Sequence, residues 1–200
     1  ADKLTEKTRA IIPVHLYGHP CDMDPILDFA EKHNLYIIED AAEAHGARYK
    51  GKPIGTLGHV SCFSFYGNKI ITTGEGGMCV TNDPDLGESM RILRDHGMSP
   101  EKRYWHDIIG FNYRMTNLQA AVGVAQLERI EDIMREKTRI QNAYIDRLRS
   151  EEKISIPLLP EWVEPVCWMF TILLNADLCG IKRDALIECL RGQGVDSRPT

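Results

Sequence analysis

The chain has 200 residues, of which 29 are acidic and 24 basic, so its formal charge at pH 7 is -5. With 43% hydrophobic residues, a chain of this length can bury a substantial core, which excludes a disulfide-stapled miniprotein and a disordered tail. The acidic balance and the lack of a basic run argue against nucleic-acid binding. No apolar stretch approaches the roughly 20 residues that span a bilayer, so we expect a soluble, cytoplasmic protein without a membrane partner.

Apolar runs alternate with amphipathic segments through the first half of the chain. Four of these runs are predicted to be strands, at residues 10–18, 35–40, 59–65 and 76–81. Two Asp-Pro pairs predict helix starts. The first has Asp24 as N-cap and Pro25 as the first helical residue, and the second begins at Asp83 and ends at about Gly97. This alternation is typical of an α/β fold with a mostly parallel sheet.

The sequence changes character after residue 97. Residues 98–115 lack clear periodicity and carry many polar and aromatic side chains. Thr116 to Gln119 fits a capping box, and a long helical stretch is predicted from there to about Ser150, either as one helix or as two with a bend.

The last quarter of the chain predicts the start of a smaller α+β domain. It contains apolar segments from Ile154 onward, a helix over 182–191, and Trp168, which we expect in the core of that domain. The predicted domains are therefore residues 1–150 and residues 151–200. Because the chain begins with alanine and stops directly after a strand-like start, we expect both ends to be cuts.

The six cysteines favour a reducing compartment over a disulfide framework. None forms a CxxC pair and most lie in apolar stretches, such as Cys62 in VSCFSF and Cys79 in GGMCVT, so we expect buried free thiols. A metal site needs clustered ligands. His15 and His19 are four residues apart, but the glycine and proline beside them place them around a turn, so we expect no metal.

Two residues are candidates for covalent chemistry. Asp40 lies at the carboxyl end of a predicted parallel strand, where open α/β sheets place their ligands, although an Asp there can also cap a turn. Lys69 follows a strand and a Gly-Asn turn, and its alternative is an exposed loop lysine. A desolvated lysine can form a Schiff base with an aldehyde cofactor, and pyridoxal phosphate also needs a carboxylate at its ring nitrogen.

The surrounding sequence adds a hydroxyl and a glycine-rich turn. Ser64, five residues before Lys69, can offer its hydroxyl to a cofactor phosphate. The GEGG sequence at 74–77 is followed by neither GKS nor GKT, so it is not a P-loop, and we expect its glycines to form a tight turn beside the lysine.

Three ordered motifs resemble the DegT/DnrJ/EryC1/StrS family of sugar aminotransferases. They are EDAAEAHGA at 39–47, SFYGNKIITTGEGG at 64–77 and GFNYRMTNLQAA at 110–121. The resemblance covers essentially all 200 residues. It implies an aspartate aminotransferase-like large domain of fold type I with pyridoxal phosphate as cofactor, and it implies that further parts of this fold lie upstream and downstream of the chain.

The resemblance also implies roles for individual residues. Lys69 matches the catalytic lysine that forms the Schiff base, and Asp40 matches the partner of the pyridine nitrogen. Glu43 matches a position that packs by the cofactor ring and its 3-hydroxyl, and Ser64 matches a phosphate ligand.

A further match implies a homodimer with shared active sites. Asn112 matches a residue that reaches the cofactor phosphate of the neighbouring subunit, and Arg114 lies close by in the sequence. A dehydratase branch resembles these enzymes but has histidine at the lysine position, so Lys69 favours transamination.

The implied reaction is a ping-pong transfer from glutamate to a nucleotide-linked 4-keto-6-deoxy sugar. Within the family, the amino-acid sequences of the motifs are most similar to those of the branch that acts on GDP-4-keto-6-deoxy-D-mannose. Two alternatives stay open. One is an aminotransferase for a UDP- or dTDP-linked ketosugar, and the other is a regulatory relative that binds pyridoxal phosphate without turnover.

Overall fold

The structure is a computed structural model that describes residues 2–200. The strands are β1 (Ala10–Ile11), β2 (Tyr36–Asp40), β3 (Arg48–Tyr49), β4 (Lys52–Pro53), β5 (Val60–Ser64), β6 (Gly77–Val80), β7 (Ile154–Ser155), β8 (Val163–Glu164) and β9 (Leu173–Leu174). The helices are α1 (Met23–Lys32), α2 (Pro84–Arg94), α3 (Asn117–Leu127), α4 (Ile130–Leu148), α5 (Ala176–Cys179) and α6 (Arg183–Gly192).

The largest sheet has the strand order β1-β2-β5-β6. Strands β1, β2 and β5 run parallel, and β6 pairs antiparallel with β5. In this register Asp40 lies opposite Cys62, which in turn lies opposite Cys79. Paired residues share a face of the sheet, so these three side chains stand side by side. The prediction of an α/β fold with a mostly parallel sheet is confirmed.

Strand β2 shows how the buried core is built. Ile37 and Glu39 point to the buried side and their neighbours to a half-exposed side, because successive side chains of a strand alternate between faces. The apolar core on the buried side also includes Met23 of α1, three alanines of the segment after β2, and Val166 from the last quarter of the chain. The last quarter of the chain therefore packs directly on the main sheet region.

The predicted strand at residues 10–18 is mostly irregular. Only Ala10–Ile11 pairs with β2, and Val14 adds one isolated bridge to Asp40. The carbonyl of Pro13 accepts the amide of Asp40, but proline has no amide to continue the ladder. The chain then forms a short 3-10 turn at Leu16–Gly18.

The N-cap predicted for α1 is wrong by two residues. The helix begins at Met23 with Asp22 as the N-cap position, and Asp24 lies inside the first turn. The carboxylate of Asp24 pairs with the ammonium of Lys50, and the hydroxyl of Tyr49 donates to Asp22 at 2.7 Å. Both acids are therefore engaged by side chains from β3 and the turn after it.

The other predicted helix signals agree with the structure. Asp83 caps α2 by accepting two backbone amides, and Thr116 with Gln119 forms a complete capping box on α3. Helix α2 ends at Arg94, and Gly97, with a positive φ, reverses the chain just beyond it. The long helical stretch is two helices, which was one of the two alternatives.

The last quarter of the chain contributes to two sheets. β7 and β9 pair with each other, whereas β8 pairs with β3, which itself pairs with β4. Helix α6 falls where it was predicted. The division of the chain between residues 150 and 151 stays a prediction.

The cysteines differ from the sequence-based expectation in their burial. All six are free thiols, but four are half-buried and two, Cys79 and Cys189, are exposed. Cys79 lies on β6, which is the last strand in the order of the largest sheet. In the part of the chain that the structure describes, no helix has the length and apolar character needed to cross a membrane.

Candidate active site around Lys69

Lys69 closes a tight turn directly after β5. Its amide donates to the carbonyl of Tyr66 at 3.0 Å, and the two isoleucines that follow it are buried in the core. The side chain of Lys69 is only 11% exposed. A lysine held on a rigid turn and shielded from water suits carbonyl chemistry better than the exposed loop lysine that was the alternative.

The carboxylate of Glu43 joins Lys69 to the turn at residues 16–18. Its Oε1 lies 3.5 Å from Nζ of Lys69, and its Oε2 accepts the backbone amide of Tyr17 at 2.6 Å. Tyr17 has φ +56, in the left-handed region that costs a residue with a side chain about 1 kcal/mol or more. The bond to Glu43 helps to hold this conformation.

Trp168 forms a further side of the site. The Nζ atom of Lys69 lies 3.9 Å from the centre of the Trp168 ring. Nε1 of Trp168 donates to the carbonyl of Asn68 at 2.7 Å. The ring of Tyr17 stacks on the indole with 6.1 Å between centroids and 12° between planes. The prediction of Trp168 in the core of a small domain is therefore wrong, because the residue packs at Lys69.

Asp40 lies at the carboxyl end of β2, as predicted. One carboxylate oxygen accepts the amide of Ala42 at 3.1 Å, so the residue also caps a turn. Its neighbour in the sheet, Cys62, is a neutral thiol at pH 7, because burial, Cys79 and the charge of Asp40 raise the pKa of Cys62 to about 11. The side chain of Asp40 therefore shares a face of the sheet with Cys62 of β5, the strand that leads to Lys69.

Ser64 ends β5 on that same face, two residues after Cys62. Its hydroxyl accepts the amide of Tyr66 at 3.3 Å, at the start of the turn that carries Lys69. The glycine-rich segment forms the predicted tight turn. Gly76 has φ +149, and a Cβ there would lie 2.6 Å from the hydroxyl oxygen of Thr73, so a side chain does not fit.

Asn112 and Arg114 lie apart from these residues. Both are exposed, and each interacts with Asp95, Asn112 through a backbone bridge and Arg114 through an ion pair of 3.2 Å. Within residues 2–200, no hydrogen bond or ion pair joins either of them to Lys69, Asp40 or Ser64. Their role toward a neighbouring subunit stays a prediction.

His45 is a buried neighbour that the sequence analysis missed. Its ring lies 5.3 Å from the ring of Phe63 and 5.9 Å from that of Phe65. Burial and the charge of Lys69 lower the pKa of His45 to about 4, so the imidazole is neutral. Within the described residues neither ring nitrogen has a hydrogen-bond partner. The only signal in the sequence was its place in the EDAAEAHGA motif.

Glu39, one residue before Asp40, has a different environment. It is fully buried, and its carboxylate accepts hydrogen bonds from His15 Nε2, the amides of Gly55, Leu57 and Gly58, and the hydroxyl of Ser61. Nδ1 of His15 accepts the amide of Cys21, so Nε2 is the nitrogen that donates to Glu39. Burial raises the pKa of Glu39, but these hydrogen bonds outweigh it and lower the pKa to about 2.

The sequence profile of the DegT/DnrJ/EryC1/StrS aminotransferase family matches residues 1–200. The chain belongs to this family. GDP-perosamine synthase of Caulobacter vibrioides is 52% identical over 197 residues, and GDP-perosamine synthase of Escherichia coli O157:H7 is 45% identical over the same length. Both alignments cover 98% of this chain and 53% of the relative, so the chain spans about half the length of these curated relatives.

Solved structures of the family show the same fold. The S. venezuelae protein DesV, in complex with a ketimine intermediate, matches with a TM-score of 0.87 and 39% identity, over 96% of this chain and 50% of that one. The predicted membership of the DegT/DnrJ/EryC1/StrS family and the predicted fold class are both confirmed.

Proposed function

We propose that the protein to which this chain belongs transfers the amino group of glutamate to GDP-4-keto-6-deoxy-D-mannose, giving GDP-perosamine. The observation that carries the proposal is the shielded amine of Lys69, which faces the carboxylate of Glu43 in a member of an aminotransferase family. The 52% identity with a GDP-perosamine synthase supports this acceptor.

We propose pyridoxal phosphate as the cofactor, because the residues fit it. Lys69 offers an amine for the aldehyde, Asp40 a carboxylate for the ring nitrogen, and Ser64 a hydroxyl for the phosphate. All three lie at the carboxyl ends of the parallel strands β2 and β5 or in the turn that follows β5. When bound, the cofactor supplies an electron sink for the carbon that exchanges its amino group.

The residues of this chain would then share the remaining tasks. The carboxylate of Asp40 would hold the proton on the ring nitrogen of the bound cofactor, since a neighbouring anion favours the charged form of the ring. The amine of Lys69 would act as the general base that removes the proton from the α-carbon of glutamate. Glu43, bonded to both Lys69 and Tyr17, keeps that amine in place.

We propose that two copies of the protein share their active sites, in the cytoplasm. Helix α3 is apolar but has no buried residue, and Leu118 and Ile109 are 83% and 94% exposed. An exposed apolar surface is typical of an interface between protein chains, and Asn112 and Arg114 are exposed and interact with Asp95 rather than with Lys69. Free thiols at all six cysteines support a reducing compartment.

An isotope-transfer assay tests the reaction. The whole protein, supplied with 15N-glutamate and GDP-4-keto-6-deoxy-D-mannose, is expected to place 15N in the sugar, and Lys69→Ala to abolish transfer. Lys50→Ala, an exposed lysine paired with Asp24, serves as the control that keeps activity. If 15N enters only UDP- or dTDP-linked ketosugars, one of those sugars is the acceptor instead. If it enters no ketosugar, the protein is better explained as a regulatory relative that binds pyridoxal phosphate without turnover.

Mixing two inactive variants tests the shared site. Lys69→Ala and Asn112→Ala subunits, dissociated and reassociated together, are expected to regain up to about a quarter of the native activity, since one site in each mixed dimer then lacks both changes. A mixture that stays as inactive as its components, although mixed dimers form, would show that Asn112 serves its own subunit.

A further inference from the structure

Lys69 and three residues from distant parts of the chain form a closed ring of contacts, which includes the amine of Lys69. Glu43 contacts Lys69 through one oxygen and the amide of Tyr17 through the other. Tyr17 stacks on Trp168, and the indole of Trp168 lies over Nζ of Lys69. Every member of the ring therefore touches two others.

The backbone reinforces this ring where its two aromatic members meet. The amide of Val166 donates to the carbonyl of Gly18 at 3.0 Å. Gly18 directly follows Tyr17, and Val166 lies two residues before Trp168. Gly18 has φ +84, and a Cβ on it would lie 1.9 Å from the carbonyl oxygen of Val166. The close approach of the two segments depends on glycine at this position.

The indole acts on Lys69 in two ways. Its face attracts the ammonium at 3.9 Å, as aromatic faces attract cations, and it covers one direction of approach to that atom. Its N–H binds the carbonyl of Asn68, the residue before Lys69, at 2.7 Å, which fixes the backbone of the turn. Phenylalanine would retain the first interaction and lose the second.

We propose that Trp168, held by Tyr17, is a positioning residue that orients the amine of Lys69 and restricts the access of carbonyl compounds to it. The functional meaning rests on the proposed function, in which this amine reacts with an aldehyde. The shielding itself follows from the contacts and is tested without the cofactor.

The experiment measures how fast acetic acid N-hydroxysuccinimide ester acylates each lysine of the cofactor-free whole protein, by peptide mass spectrometry. Trp168→Leu is expected to raise the rate at Lys69 at least fivefold, and Trp168→Phe to raise it less. Phe170→Leu is the matched control, since this aromatic residue stacks on Tyr144 instead. It is expected to leave the rate at Lys69 within twofold of the native protein.

The acylation rate of Lys50, an exposed lysine in the same molecule, separates local from global effects. A rise confined to Lys69 supports the proposal, and an unchanged rate at Lys69 in Trp168→Leu overturns it. If Trp168→Leu accelerates all lysines alike because it unfolds, Trp168→Phe and Tyr17→Asn decide, since asparagine tolerates the φ of +56. A rise at Lys69 in neither of them also overturns the proposal.

The acylation rate of Lys69 is independent of the proposed function. Acylation of Lys69 reports on the access to its amine and on the reactivity of that amine, and it requires no cofactor. A protein that shows the expected rates but never takes pyridoxal phosphate would retain the positioning role of Trp168 and lose the aminotransferase assignment.

Discussion

Two glutamates, four residues apart in one motif, lie in regions that are organised in opposite ways. Glu39 lies on the buried face of β2, and its carboxylate accepts hydrogen bonds from five donors. Glu43 lies at the turn of Lys69, with one short bond to an amide and one longer contact of 3.5 Å to the amine. The first region has no capacity left to bind a ligand, whereas the second does.

This difference distinguishes a polar group that stabilises the fold, Glu39, from a polar group that remains able to bind a ligand, Glu43. The saturated, buried carboxylate of Glu39 on β2 is tied to His15, to β5 through Ser61 and to the segment before β5, and any new partner would have to displace a bond already made. Around Lys69, the contact of 3.5 Å to Glu43 is long, so the amine keeps the capacity to engage a ligand. This contrast supports the proposal that the active site lies at Lys69.

The largest effect is expected from the same change made in the two regions. Glu39→Gln should lower the free energy of unfolding by about 3 kcal/mol, because the amide puts an NH2 group against backbone donors and loses the charge. Glu43→Gln should lower it by less than about 1 kcal/mol, since few bonds depend on it. Urea denaturation of both variants measures this, and equal losses would contradict the comparison.

Gly18→Ala is expected to lower the free energy of unfolding by about 2 kcal/mol, from overpacking and from the positive φ. Gly51→Ala is the matched control. Its φ of +75 resembles the +84 of Gly18, but no atom lies within 4 Å of its Cβ position, so only backbone strain remains. If both variants lose the same stability by chemical denaturation, the contact between Gly18 and Val166 is not what matters.

The stability of the protein should fall on acidification through Glu39. Its folded pKa of about 2 lies below the ordinary 4.5, so its contribution is complete above pH 4.5 and is lost as the pH falls toward 2. Between pH 5 and pH 3 the loss is on the order of 2 kcal/mol. Denaturation at a series of pH values measures it, and Glu39→Gln, which cannot titrate, should show a shallower decline. Parallel declines would assign the effect to other groups.

The smallest effect is expected at a helix cap outside both regions. Asp83→Ala removes the acceptor for the amides of Asp85 and Leu86 and should lower the free energy of unfolding by about 1 kcal/mol. The reaction of Lys69 with pyridoxal phosphate should be unchanged. A variant that loses this reaction while still folded would show that α2 affects the site, which the contacts do not suggest.

The features that the sequence predicted well are local. The caps at Asp83 and at Thr116 with Gln119 involve residues within three positions of each other, so the pattern contains the whole interaction. The cap at Asp24 failed because Lys50, 26 residues away, binds that carboxylate instead. Local patterns do not show such a competitor.

The same limit explains what was missed at the site. Trp168 reaches the turn of Lys69 across 100 positions of sequence, in a stretch whose apolar character equally suits a core. The sequence also does not distinguish Glu39 from its acidic neighbours, because YIIED is apolar up to its acids and reveals neither face of the strand. Only the pairing of β2 with β1 and β5 decides which acid is enclosed.

The most direct test of the central claim is to reduce the whole protein with borohydride after adding pyridoxal phosphate and to locate the adduct by peptide mass spectrometry. We predict one stoichiometric adduct, on Lys69, and none in Lys69→Ala, while Lys50→Ala reacts like the native protein. An adduct that persists at another single lysine in Lys69→Ala, or the lack of any adduct in the folded native protein, would contradict the assignment of the active site to Lys69.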